Sequence, residues 1–204
     1  VVDVLAHAHK PLICVGGGTI LGNGEQVVRE FANKFHIPVV STMMGIGVMP
    51  NDDDLYMGML GTNGKPHANY AVHECDVLVL VGARVADRAV VKPYKLERRN
   101  TTIVHIDVDP AEIGKNLGTT VPLVGDVHVI FENLLQYEIP GDYTAWNEEL
   151  AEKKAAYVDR RHFNPDFVNP CRFVQTLSSK MNDDAIYVAD VGQNQLWSAD
   201  NYVM

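Results

Sequence analysis

Asp76-Val77-Leu78-Val79-Leu80-Val81-Gly82 is the stretch on which the fold turns. Its Val/Leu run has no polar alternation, so it reads as a strand that is apolar on both faces, with Gly82 closing it in a turn. Such a strand needs a covering layer on each side, as in a parallel α/β sheet. The pattern repeats outward in both directions. Upstream, Pro11–Val15 is a short apolar run ending in Gly16-Gly17-Gly18. Asn23 to Phe35 then sets Val27, Val28, Phe31, Ala32 and Phe35 on one helical face. Ile37–Ser41 is the next strand, a Gly/Met-rich loop follows from Thr42 to about Asp54, and Lys65 to Glu74 reads as a helix. Downstream, Thr102–Ile106 runs into Asp107-Val108-Asp109-Pro110. Val121–Val124 closes on Gly125-Asp126, and a helix carries Val127, Ile130, Phe131 and Leu134. This alternation predicts an α/β fold over residues 1–137: a doubly wound, mostly parallel sheet with helices on both faces.

The pattern breaks at Glu138 to Gly141. Residues 138–169 are expected to be a linker, although Asp142 to Arg161, with Trp146, Leu150 and Tyr157 as apolar anchors, also reads as a helix lying on a surface. A new unit is expected over 170–204. Its first helix carries Phe173, Val174 and Leu177. An apolar strand at Ala185–Ala189 then runs into Gly192-Gln193 and the opening of a second helix. One strand and its flanking helices do not bury their own apolar faces, so this is expected to be a truncated α/β segment, the start of a further domain.

With a net charge of -9 and a pI of about 5.3, the 204 residues carry no basic footprint for nucleic acid. No apolar run approaches the roughly 20 residues of a membrane span. Cys14, Cys75 and Cys171 are far apart in sequence and fit no metal spacing, so they are expected to be buried, reduced thiols in a cytoplasmic protein. Asp52-Asp53-Asp54 reads as a solvated loop. Met43, Met44, Met49, Met57 and Met59 are expected to fill core, or else to line a flat aromatic ligand.

Open α/β sheets bind ligands outside the carboxyl ends of their strands, where this chain gathers its unusual residues. They are Gly16-Gly17-Gly18, Ser41-Thr42, Leu60-Gly61-Thr62-Asn63-Gly64, Gly82-Ala83-Arg84, Asp107-Val108-Asp109 and Gly125-Asp126. Glycines admit a ligand close to the backbone, Arg84 can pair with a phosphate and Asp107 can accept from a ribose hydroxyl. Gly16–Gly18 is not the GxGxxG fingerprint, and Asp107 lies far beyond the usual spacing, which disfavours a standard NAD unit. Tight turns and a nucleotide cradle both remain open on these residues alone. None of Ser41, Ser178, Ser179 and Ser198 has a nucleophile-elbow context.

Several motifs together resemble one family. They are Val15–Gly18, Ile37-Pro38-Val39 with Ser41 to Gly47, His67-Ala68-Asn69-Tyr70-Ala71, Gly82-Ala83-Arg84 with Asp87-Arg88, Ile103 to Asn116, and Gly125-Asp126-Val127. The chain is similar here to the central domain of acetolactate synthase, a thiamine-diphosphate enzyme. Val191 to Trp197 resembles the start of that family's third domain. The resemblance implies a parent with three α/β domains per subunit. That parent decarboxylates pyruvate on thiamine diphosphate and ligates the two-carbon unit to a second 2-oxo acid, a step of branched-chain amino-acid biosynthesis. It also implies Mg²⁺ with the thiamine diphosphate, FAD in a non-redox role in the central domain, a homo-oligomer and a regulatory subunit.

By the same resemblance, the FAD contacts fall on Gly17, Thr42, Met43, Leu60, Gly61, Thr62, Asn63, Gly82, Ala83, Arg84, Val85, Ala86, Asp107, Val108, Asp126 and Val127. Gln193 and Asn194 fall on the thiamine-diphosphate contacts. The chain departs from the family's usual residues at Thr62-Asn63, Ala86 and Asn194. The family's activating glutamate and metal-binding segment match no part of this sequence, so no catalytic or metal-ligating residue is expected in it, and the chain by itself is expected to be inactive. Two rival readings stay open: the central domain of another thiamine-diphosphate decarboxylase or oxidase, and a structural spacer with no bound nucleotide.

Overall fold

Strands β1 (Pro11–Val15), β2 (Val39–Ser41), β3 (Tyr56–Met59), β4 (Val77–Val81), β5 (Thr102–Asp107) and β6 (Val121–Val124) pair in the order β3-β2-β1-β4-β5-β6. Every pairing is parallel, so the sheet expected to be mostly parallel is wholly so. The computed structural model describes residues 1–85, 101–158, 163–182 and 184–203. They divide into two compact units, residues 1–156 and 157–204.

In β4, successive side chains point to opposite faces, and the sequence sorts them. Val77, Val79 and Val81 enter one core with Ile13, Val15, Val39, Val104 and Ile106, beneath helices α1 (Val2–Ala6), α3 (Glu25–Phe35) and α5 (Val127–Leu134). Leu78 and Leu80 enter the other with Leu12, Cys14, Val40 and Ile103, beneath α4 (Pro66–Glu74) and α6 (Thr144–Ala155). Phe31 of α3 meets Phe131 of α5 edge-on, with ring centroids 5.1 Å apart, which joins two helices of the first layer. Burial raises the Cys14 thiol pKa to about 12 and pushes Cys75 up as well; all three cysteines are free and buried.

Three elements were not anticipated. They are α1, β3 and the short α2 (Gly17–Leu21), whose first residues had read only as a turn. Residues 142–161 had left helix or linker open, and α6 fills their first half. Its Trp146 and Leu150 are fully buried in the second core. Trp146 Nε1 donates to the Pro11 carbonyl (3.0 Å), and Lys10 lies over the indole ring while its ammonium meets Glu149 at 2.7 Å. Tyr70 donates to the other Glu149 oxygen (2.6 Å), and together these partners hold that carboxyl below its usual pKa.

The second unit contains α7 (Pro170–Ser178) and α8 (Gln193–Asn201). Asn169 caps α7 by accepting from the Cys171 and Arg172 amides. The strand expected at Ala185–Ala189 is not formed. Tyr187 is held by stacking on Tyr202 and by a 2.7 Å hydrogen bond with Ser198, whereas Ile186 and Val188 are 88% and 84% exposed. A strand is completed by a neighbouring ladder, and none pairs with this segment among the described residues. No described helix is long and apolar enough to cross a membrane.

Trp146→Ala should lower the unfolding free energy by about 3–5 kcal/mol, the usual cost of emptying a buried aromatic site. Urea denaturation followed by circular dichroism checks this.

Candidate functional site

Because all six strands run the same way, their carboxyl ends share one edge of the sheet. The strand order reverses between β1 and β4, which makes their junction the topological switch point. There the backbones of two turns touch. Gly16 N–H donates to Val81 O (2.9 Å), Gly18 N–H to Gly82 O (2.9 Å), and the buried Thr19 hydroxyl to Val81 O (2.9 Å). Gly82 has φ +54°, and a Cβ on it would lie 2.6 Å from the Gly18 carbonyl carbon. A Cβ on Gly16 would lie 2.3 Å from Gly82 O. Neither position has room for a side chain.

Each further strand end is tied to its neighbours. Thr42 N–H donates to Val15 O, Leu60 N–H to Ser41 O, Gly82 N–H to Ile106 O and Gly125 N–H to Asp107 O. After β2, Met43 begins a single 3-10 turn, which brings Met44 against Gly17 and leaves Met44 69% exposed. Of the five methionines expected to fill core, Met49, Met57 and Met59 do so, whereas Met43 is half-buried and Met44 exposed, because the 3-10 turn after β2 carries them out of the sheet. Arg29 donates to the Val48 and Gly47 carbonyls and fastens the loop behind. After β3, Asn69 clasps Gly61 from both sides, accepting from its N–H (2.8 Å) and donating to its carbonyl (2.9 Å), while Thr62 and Asn63 stay exposed.

After β4, Ala83 is buried and Arg84 exposed. Val85 is buried with φ +46°, a conformation that strains a β-branched residue. After β5, Asp107 is buried and its Oδ1 accepts the Asp109 amide (3.0 Å), which turns the chain and leaves Val108 71% exposed. Asn116 Nδ2 reaches back to donate to Arg84 O (2.8 Å). After β6, Asp126 caps α5 by accepting the Val129 amide, and the Val127 side chain packs into the first core.

The structure thus gathers Gly17, Thr42, Met43, Leu60 to Asn63, Gly82 to Val85, Asp107, Val108, Asp126 and Val127 at the carboxyl edge of one sheet. Ala86 lies outside the described residues. Gln193 and Asn194 lie exposed in the first turn of α8, in the second unit. Sequence reading quoted Asn69 and Asn116 within motifs but gave neither a role, because their partners, Gly61 and the Arg84 carbonyl, lie at distances that no spacing rule marks. The one available signal was an amide side chain just before or after a glycine-rich turn. Ser41 is buried and shares a 2.7 Å hydrogen bond with the Tyr56 hydroxyl, so it is not set up as a nucleophile. Asp53 caps its own turn, with Oδ1 accepting the Leu55 amide (2.9 Å).

The model of the thiamine pyrophosphate enzyme central domain matches residues 1–134, a span that holds the whole six-stranded sheet. The chain belongs to that family. Among relatives of this central domain, the probable acetolactate synthase large subunit of Methanocaldococcus jannaschii is 38% identical over 205 residues, covering 96% of this chain and 34% of its own length. The acetolactate synthase large subunit of Pyropia yezoensis is 36% identical over the same coverage. A chloroplastic acetolactate synthase of Nicotiana tabacum is 35% identical, covering 99% of this chain and 31% of its own length. The chain therefore spans about a third of the curated relatives it matches.

Gly82→Ala should destabilise the central domain by about 2–4 kcal/mol, because overpacking adds to the penalty of a left-handed backbone with a Cβ. Chemical denaturation reads the loss, and a wild-type midpoint in this variant would contradict the contact described.

Proposed function

We propose that this chain is the central part of an acetolactate synthase large subunit and that its strand-end edge holds FAD. The observation that carries the proposal is the switch point, where the glycine turns after β1 and β4 pack together without side chains, with Arg84 and Asp107 on the adjoining loops. The fit to a dinucleotide rests on chemistry present at this edge. Glycine turns let a phosphate approach the backbone, Arg84 offers an exposed guanidinium, and Met44 and Val108 offer exposed apolar surface to a flat ring. In this reading Gly82 to Val85 and Asp107-Val108 flank the phosphates and ribose. Thr42, Met43 and Leu60 to Asn63 line the flavin side, and Asp126-Val127 and Gly17 close the remaining wall.

The division into a domain at 1–137, a joining segment at 138–169 and the start of a further domain at 170–204 belongs to the same proposal. So does the placing of Gln193 and Asn194 near thiamine diphosphate, where Ile186 and Val188 would be covered by sheet contributed by the rest of that domain. Thiamine diphosphate with Mg²⁺, when bound in the parent, supplies the electron sink for decarboxylation of pyruvate. This chain's residues contribute binding and orientation. The names of the relatives, large subunits of acetolactate synthase, also motivate a small subunit as partner and 2-oxo acids such as pyruvate as substrates, while a regulatory role for that subunit, the cytoplasmic location and the homo-oligomer rest on the resemblance alone.

Full-length protein carrying this chain should convert pyruvate to acetolactate with thiamine diphosphate and Mg²⁺, and a polypeptide of these 204 residues should not. Acetaldehyde or acetyl products without acetolactate from the full-length protein would favour the decarboxylase or oxidase reading instead.

For the cleft itself, Arg84→Ala should weaken FAD about tenfold in calorimetry of the full-length protein, since a charged hydrogen bond is worth about 1.5–3 kcal/mol. Unchanged affinity would remove Arg84 from the site.

A further inference from the structure

Val85 stands in a conformation that valine avoids. Its φ of +46° lies in the left-handed region, where a β-branched side chain is strained, while Arg84 before it is not in that region. Such a backbone persists only where its surroundings hold it. Two holds are in place. The Val85 side chain is buried in the second core, in the same cluster as Ala83 and Leu117. The carbonyl just ahead of it, Arg84 O, accepts a 2.8 Å hydrogen bond from Asn116 Nδ2 in the loop that follows β5. Asn116 is exposed and its neighbour Leu117 is buried. The β5 loop therefore reaches this turn once through the core and once through a side-chain amide.

The hydrogen bond and the strained φ belong to one peptide unit. The Arg84–Val85 peptide is trans, so its C=O and N–H point in opposite directions. Asn116 draws the carbonyl toward the β5 loop, which directs the Val85 N–H away from it. Rotating such a peptide about its two flanking bonds is what separates a type II from a type I turn, and it reverses the sign of φ at the second residue. A flip would relieve Val85 and break the bond to Asn116. It would also exchange an N–H for an oxygen on the flank away from the β5 loop. The strand order puts the glycine turn after β1 on that other flank of β4. Upstream the turn is fixed, since Gly82 lies against Gly18 and a Cβ on Gly16 would lie 2.6 Å from Ala83 Cα. The 84–85 peptide lies just beyond that packing.

We infer that Asn116 is a positioning residue: by donating to Arg84 O it holds the Arg84–Val85 peptide in its strained orientation and keeps that carbonyl oxygen off the flank of β4 that faces the switch point. An oxygen there would repel a phosphate, whereas an N–H attracts one. The hold on the peptide stands on the geometry alone, and its consequence for a nucleotide rests on the reading of the cleft given above.

Crystal structures of the full-length protein carrying this chain, wild type and variants, read the peptide directly. Wild type should keep Val85 at positive φ with Arg84 O on Asn116. Asn116→Ala should turn the carbonyl away from the β5 loop and bring Val85 to negative φ. Asn116→Gln keeps an amide donor and should keep the positive φ. Asn116→Asp keeps the shape but offers only acceptors when ionised, and should behave as Asn116→Ala. A negative φ in wild type, a positive φ in the Ala variant, or a positive φ in the Asp variant would overturn the inference. If the Ala variant does not fold, the contrast between the Gln and Asp variants decides. FAD and ADP titrations of the same proteins by calorimetry address the consequence. Losing one hydrogen bond of about 1.4 kcal/mol shifts the peptide equilibrium about tenfold, so the Ala and Asp variants should bind about tenfold more weakly and the Gln variant within about threefold of wild type. Equal affinity in wild type and in a variant with a turned peptide would overturn the nucleotide consequence. No nucleotide binding by wild type, with the crystallographic results intact, would overturn the reading of the cleft and leave the hold on the peptide standing.

Discussion

Two turns that touch through their backbones set the terms for the rest of the molecule. At the β1–β4 junction, Gly16 and Gly18 lie so close to Gly82 that any Cβ would overlap main-chain atoms. This closeness lets the Gly16 and Gly18 amides bond to Val81 and Gly82, and the Thr19 hydroxyl to Val81. The two halves of the sheet, β1 to β3 and β4 to β6, are joined along one strand pair, and these turns lock that pair at its carboxyl end. A wider turn on either side would push α2 off the sheet and open the edge on which the strand-end residues converge.

The opposite edge is built from different chemistry. At the amino ends of the strands, Asp76 accepts the His9 and Lys10 amides, Lys10 meets Glu149, Tyr70 reaches the same carboxylate, and the Trp146 indole bonds to Pro11. Long side chains do there what backbone-to-backbone contact does at the other edge. One edge is thereby tied through long side chains, while the other is tied through the main chain at glycine turns, on the side where parallel α/β sheets take their ligands.

The sheet was legible because β1, β4 and β6 are continuous apolar runs and β5 is interrupted only by His105 before Asp107, and such runs have few other uses in a chain of this composition. β3 was missed because Tyr56-Met57-Gly58-Met59 contains a glycine at φ +88° and no β-branched residue, so neither propensity nor pattern marks it. α2 was hidden by opening on two glycines, the poorest formers after proline; it is held by its packing on Gly82 and Met44 rather than by its own preference. The strand expected near Val188 failed for the converse reason, since its local pattern is sound but no strand among the described residues pairs with it. The strand-end residues were legible as a set because the topology collects strand ends. Their fastenings, Asn69 and Asn116, were not, since each acts across a loop whose path the sequence does not reveal.

The strand order also fixes the sequence of events by which the chain assembles. β1 lies between β2 and β4, and Pro11 pairs with Val77, so the middle of the sheet joins segments far apart along the polypeptide. During synthesis from the amino end, β1, β2 and β3 emerge and can pair while one edge of β1 waits unpaired. The valine and leucine run at 77–81 must arrive before that edge closes. Loop closure over such a separation is slow compared with helix formation, so the topology makes the β1–β4 pairing the step that must bridge the longest stretch of chain in the middle of the sheet.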